Sequence, residues 1–140
     1  MEHPVYGMTR ELPAVPWQAA VERVQEALKT EGFGVLTRID VHETLKARLG
    51  VEMSPYVILG ACNPPLAHEA LSRDFFLGLL LPCNVVVAGT PGGSLVSIAR
   101  PSSMFRAVEN EALTSMAQDV EERLQRVLER IQDSPGTGSP

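Results

Sequence analysis

Two cysteines carry most of the chemistry this sequence offers, and each is followed by asparagine. One step reads Gly60-Ala61-Cys62-Asn63-Pro64-Pro65, the other Leu81-Pro82-Cys83-Asn84-Val85-Val86-Val87. A thiol is a soft metal ligand, a nucleophile once deprotonated, and a small packing group while protonated. Cys62 ends an apolar run just ahead of a helix start, since Asn63 suits an N-cap and Pro64 the first helical position. The partial positive charge of a helix N-terminus attracts anions and lowers the pKa of a nearby thiol. Cys83 opens a valine-rich run. If the two runs are neighbouring strands, Cys62, Asn63, Cys83 and Asn84 gather at one end of a sheet. They would there form a binding site for a small anion, a cofactor or a soft metal. The bland account of the same residues is that cysteine is often buried and that Asn63 only caps a helix.

Other candidates are weaker. His68 follows Cys62 by six positions and would complete a soft-metal set by residue type, but the spacing matches no familiar ligand pattern. A place on the helix surface explains it better. His42 reads as a solvated residue on a short helix. Arg38, Arg73 and Arg100 fall near strand ends, where they would line an anion site or serve as ordinary surface charges. Trp17 and Tyr56 read as core or interface aromatics. The sequence has no nucleophile elbow, no phosphate-binding glycine loop, no dinucleotide fingerprint and no C-x-x-C or H-E-x-x-H pair.

The elements that must position these residues are legible from periodicity. Trp17, Ala20, Val21, Val24, Ala27 and Leu28 make an amphipathic helix, entered through Pro16 and closed at Gly32. Phe33 to Ile39 reads as a strand with Phe33, Val35, Thr37 and Ile39 on one face. Asp40 and Glu43 resemble a capping box for a short helix that ends at Gly50. Pro55 to Cys62 is a strand expected to be buried on both faces. A helix of about two turns follows Asn63. The apolar stretch Phe75 to Leu81 fits either a further helical turn or an extended lead-in. Cys83 to Ala88 and Ser94 to Arg100 form a hairpin about Thr90-Pro91-Gly92-Gly93. Pro101 to Ser103 reads as a linker. One long helix runs from about Val108 to Ile131, with Glu122 and Arg126 paired on its exposed side. A weak strand precedes everything, at Val5 to Met8.

This order gives an α+β domain: a mixed or mainly antiparallel sheet of four to five strands, helices packed on it, and a long C-terminal helix. Residues 1–133 are expected to be one domain and 134–140 a disordered tail. The long helix carries more apolar stripe than one small sheet face covers, which suggests a homodimer. The chain of 140 residues has net charge −5, against a general nucleic-acid binder, and no apolar run long enough for a membrane span. The start has no secretory signal character, so the expected place is the cytoplasm, with both thiols reduced. Ten arginines against two lysines, and eleven prolines, are compatible with a thermophilic source.

The stretches Ile58 to Ala67 and Leu79 to Val87, with Gly32 to Lys46 before them, resemble the bacterial and archaeal family named domain of unknown function 302. The likeness covers about residues 33–101. It implies a small α+β fold that forms homodimers, and it transfers no activity and no catalytic residues. Three readings follow. The first is a homodimeric binding module for a small ligand at the Cys-Asn steps, with no nucleic acid or membrane partner. The second is a structural or interaction dimer without a ligand. The third is a thiol enzyme or redox sensor using Cys62, which lacks a readable partner base.

Overall fold

In the computed structural model, residues 2–135 are described. Five strands form one antiparallel sheet in the order β1-β5-β4-β3-β2: β1 Gly7–Leu12, β2 Gly34–Asp40, β3 Tyr56–Cys62, β4 Cys83–Thr90 and β5 Gly93–Ala99. The helices are α1 Trp17–Lys29, α2 Val41–Leu49, α3 Pro64–Arg73, α4 Pro101–Met104 and α5 Glu111–Arg130, with a 3-10 segment at Phe75–Leu80. The expected α+β class, sheet and long last helix are all present. Residues 136–140, most of the expected tail, lie outside the described residues.

The first two strands occupy opposite edges of the sheet, so α1 must cross its full width between them. Its stripe, Ala20, Val21, Val24, Ala27 and Leu28, is buried against the inner sheet face. That face presents Met8 and Leu12 from β1, Val57, Leu59 and Ala61 from β3, Val85 and Val87 from β4, and Val96 and Ile98 from β5. Each of the larger of these side chains contributes about 1.5–3 kcal/mol by leaving water. The opposite face holds Tyr56, Ile58, Val86 and Ala88, all half-buried. The expectation that β3 is buried on both faces is therefore met on one face only.

Helix α5 packs beside α1 on the same layer. Leu113, Ala117, Leu124, Val127, Leu128 and Ile131 are buried within the chain. The surplus stripe expected from the sequence is thus used internally, and the case for a dimer has to rest elsewhere. The linker at Pro101 is in fact the short helix α4, which Pro101 can open because the first helical position needs no N–H. Two further expectations change. Asp40 stands at the N-cap of α2 but makes no cap bond; its carboxylate takes Arg38 instead, at 3.1 Å. His42 is half-buried rather than solvated, edge-on to Trp17 at 5.4 Å, and its Nδ1 accepts the Tyr56 N–H at 3.0 Å.

Arginines fasten α5. Arg10 donates to the Leu128 and Ile131 carbonyls at 2.9 and 2.7 Å, satisfying groups that a helix C-terminus leaves unpaired. Arg100 bonds Glu121 at 3.1 Å, and Glu121 also accepts the Ser102 N–H. Arg126 does not make the expected pair with Glu122. It reaches across to the loop after α1 and grips Glu31 with Nε and a terminal nitrogen, both at 3.0 Å, while Arg130 adds a bond at 2.6 Å. The Arg126 hydrogen bond, joined by Arg130 and opposed by partial burial, holds the Glu31 carboxyl down at about 2 from an ordinary 4.5.

A carboxylate whose folded pKa is depressed stabilises the fold fully above its unfolded pKa and ceases to as pH falls through the folded value. The window here runs from about pH 4.5 down to about 2. Urea midpoints of the wild type are expected to fall through this window. Glu31→Gln is expected to have a lower midpoint at pH 7 and a shallower decline in acid. Parallel declines for the two proteins would show that the clamp does not govern acid stability.

Candidate functional site

The antiparallel register places the end of β3 beside the start of β4, so Cys62 and Cys83 come to the same end of the sheet. Ala61 is the direct partner of Cys83. The excursion between the strands, α3 and the 3-10 segment, stands over that end. Between it, the sheet end and α5 lies a cavity of about 350 Å³. Ala61, Cys62 and Cys83 line it from the sheet, Leu66, Ala67, Ala70 and Leu71 from α3, and Met116 and Val120 from α5. Phe33, Leu36 and Thr37 close one side, and Gly78, Leu81 and Pro82 another.

Two local features shape the wall. Strand β2 carries a bulge: Val35 pairs with Ala61 and Thr37 with Gly60, leaving Leu36 between them. The extra residue flips the alternation. Val35 therefore faces inward while Thr37 and Ile39 share the other face, which corrects the single four-residue face expected from the sequence. Leu36 and Thr37 are brought to the cavity. The second feature is Gly60. A Cβ there would lie 2.8 Å from the Pro82 ring and would overlap the Thr37 hydroxyl, so only glycine lets these two approach.

Asn63 is 9% exposed and caps α3, its Oδ1 accepting the Leu66 N–H at 3.3 Å. Its Nδ2 donates to the Glu31 carbonyl at 3.4 Å. The helix start it caps has little left for an anion. Pro64 and Pro65 have no N–H, the Leu66 N–H is taken by Asn63 Oδ1, and the Ala67 N–H goes to the Asn63 carbonyl at 2.9 Å. No lysine, arginine or histidine lines the cavity. Arg38, Arg73 and Arg100 do not gather there; they pair with Asp40, Glu69 and Glu121 respectively.

The structure thus brings Cys62, Asn63 and Cys83 together and leaves one expected residue, Asn84, out of the cavity. Asn84 is exposed and does not line this cavity; with Cys83 it borders a separate, much smaller one of about 30 Å³. His68 is exposed on α3 and is not part of the cavity wall. Among the described residues no three His, Cys, Asp or Glu side chains are placed to hold a metal ion together. Both thiols are free. Burial pushes the Cys83 thiol up to about 11, and the nearby Cys62 adds to the shift. At neutral pH Cys83 is a protonated wall group. Met116 and Val120 were legible only as members of the α5 stripe, and nothing in the sequence marks the bulge that exposes Leu36.

The family model of domain of unknown function DUF302 matches residues 8–131. This chain belongs to the DUF302 family. The match runs well beyond residues 33–101 and takes in β1, α1 and α5, so both walls of the cavity lie inside the family domain. A crystal structure of an uncharacterized conserved DUF302 protein from Bacillus stearothermophilus is similar, at 32% identity and a TM-score of 0.84, over 92% of this chain and 100% of that one. No curated protein matches the chain. In this DUF302 chain no helix among the described residues is long and apolar enough to cross a membrane.

The thiol chemistry is directly measurable. A Cys62→Ser variant leaves Cys83 alone. With Cys62 gone its contribution to the shift goes too, but burial, the larger cause, still holds the thiol up, so native labelling by a disulfide reagent at pH 7.5 should be at least about tenfold slower than in the unfolded chain. Labelling at the unfolded rate would place Cys83 in water.

Proposed function

We propose that this DUF302 domain is a homodimeric binding module for a small, mostly apolar molecule held between α3 and α5. The observation that carries the reading is the chemistry of the cavity wall. Among the described residues its side chains are almost all apolar, its uncharged polar groups are Thr37, Asn63 and the two thiols, and no charged side chain lines it. Ligand sites are typically apolar concavities with few polar groups, from about 300 Å³ upward. Since a cavity of about 150 Å³ accommodates benzene, about 350 Å³ with an open mouth suits a ligand of roughly 12–17 heavy atoms. Among the ligands weighed from the sequence, a small anion is the least supported, because the wall offers neither cation nor free N–H. A soft metal would have Cys62 and Cys83 as its ligands and would have to deprotonate both.

The reading extends to the rest of the chain. Residues 1–133 act as one unit, in the cytoplasm, where both thiols stay reduced. Cys62, Asn63 and Cys83 belong to the ligand site, and Asn84 does not. The net charge of −5 gives no basis for nucleic-acid binding. The interaction-dimer alternative predicts no ligand. The thiol-enzyme alternative needs a base beside Cys62, and no histidine lines the cavity.

The test uses N-phenyl-1-naphthylamine, a neutral apolar probe whose fluorescence rises on leaving water. One equivalent should bind, and Ala67→Phe, which fills the cavity from α3, should weaken binding at least tenfold while the circular dichroism is unchanged. Equal affinity for wild type and Ala67→Phe would overturn the cavity as the binding site.

A further inference from the structure

The 3-10 segment beside the cavity shows its apolar side chains to solvent. Phe75 is 82%, Phe76 71% and Leu79 85% exposed. The segment is nevertheless anchored. Leu77 is buried with Ala70 and Leu113, the Asp74 carboxylate accepts the Phe76 N–H at 3.0 Å, and the two phenylalanine rings meet edge-on at 5.3 Å. The chain therefore holds these side chains outward in a fixed arrangement. Leu36 and Leu71, on the cavity rim, are 66% and 40% exposed.

We propose that a second copy of this chain seats on this patch, so that the 3-10 segments of the two copies pack across a twofold axis and each covers the other's cavity. The proposal rests on the reading of the cavity as a ligand site and completes that site with partner side chains. Taking about 200 Å² for a phenylalanine, the five side chains expose roughly 600 Å² of apolar surface. That is at the upper end of what a monomer leaves in one patch and supplies most of the roughly 800 Å² per partner of a stable interface. The outer sheet face offers less, because Tyr56, Ile58, Val86 and Ala88 are half-buried, Ile39 is 49% exposed against 71–85% in the 3-10 segment, and the Thr9 and Ser97 hydroxyls bond each other at 2.8 Å. A lipid surface is a poorer occupant, since no lysine or arginine lies between Arg73 and Arg100 and the net charge is −5. A twofold contact sets the same patch against itself. Gly78 and Leu71 belong to the cavity wall as well as to the patch, so the partner's segment lies over the mouth.

The decisive comparison is wild type against the double variant Phe75→Glu with Leu79→Glu, at two positions exposed enough to leave the monomer fold intact. Sedimentation equilibrium at about 50 μM should give twice the 15.2 kDa chain mass for wild type and 15.2 kDa for the variant. Their circular dichroism should agree, and N-phenyl-1-naphthylamine affinity should fall at least tenfold. A monomeric wild type, or a dimer that survives both substitutions, overturns the interface. A monomeric wild type that co-sediments with phosphatidylcholine vesicles overturns it in favour of a lipid surface. Dimer loss with undiminished probe binding overturns the covering role. The two readings fail separately: probe binding sensitive to Ala67→Phe in a monomer keeps the cavity and removes the interface. A Phe75-dependent dimer that binds no probe supports the contact and removes the cavity reading.

Discussion

One residue holds the two walls of the cavity in place. Glu31 lies in the short loop after α1 and reaches both neighbours at once. Its backbone carbonyl accepts the Asn63 amide, which fixes the start of α3, and its carboxylate takes Arg126 and Arg130, which fixes the last two turns of α5. The carboxylate is only 10% exposed while both guanidinium groups stay half in water. The arrangement avoids the desolvation cost of a fully buried pair and is still paired with good two-point geometry from Arg126. Gly32 follows at φ 82, a backbone conformation that lets the chain turn at once from this clamp into Phe33 and β2. Bulge, cavity floor and both walls are therefore referenced to a single loop.

Apolar walls facing each other across an open concavity tend to close, because closing takes apolar surface out of water. The wall does not collapse because its parts are tied elsewhere: α3 by Asn63, α5 by the arginines, and the strand ends by the close approach of Thr37 and Pro82 at Gly60. Those ties all lie outside the cavity and are polar or steric. The cavity itself is apolar. A scaffold built this way keeps an open, apolar concavity whose side-chain hydrogen-bonding groups are Thr37 and Asn63.

Much of this was legible in the sequence, for identifiable reasons. The helices α1 and α5, the β4–β5 hairpin and the Asn63 cap follow from periodicity and turn chemistry, which are local. The convergence of Cys62 and Cys83 followed from reading their strands as neighbours. What escaped was non-local or a matter of one residue. The bulge at Leu36 inserts one residue without any change of composition, and it moves Thr37 and Ile39 to the other face. The Arg126 partner was sought four residues away on its own helix, but a residue 95 positions distant had the better geometry. Asn84 was grouped with Cys83 by adjacency in sequence, but only Cys83 lines the cavity.

The two prolines after Asn63 bear on what the cysteines are for. A helix N-terminus beside a thiol normally favours the thiolate and draws anions. Here the donors that would do so are missing at Pro64 and Pro65 or already used at Leu66 and Ala67. With that field blunted and no basic side chain in the wall, burial keeps Cys83 protonated. A protonated thiol is a small, polarizable, nearly apolar surface that makes no demand for a hydrogen-bond partner. Serine of similar size would demand one, at a cost of about 1–3 kcal/mol if left without it. Alanine would remove a contact from an already roomy cavity. Cysteine at the sheet end thus suits a wall that must be apolar, adaptable and free of unpaired polar atoms, and packing together with the Asn63 cap accounts for the places of Cys62, Asn63 and Cys83.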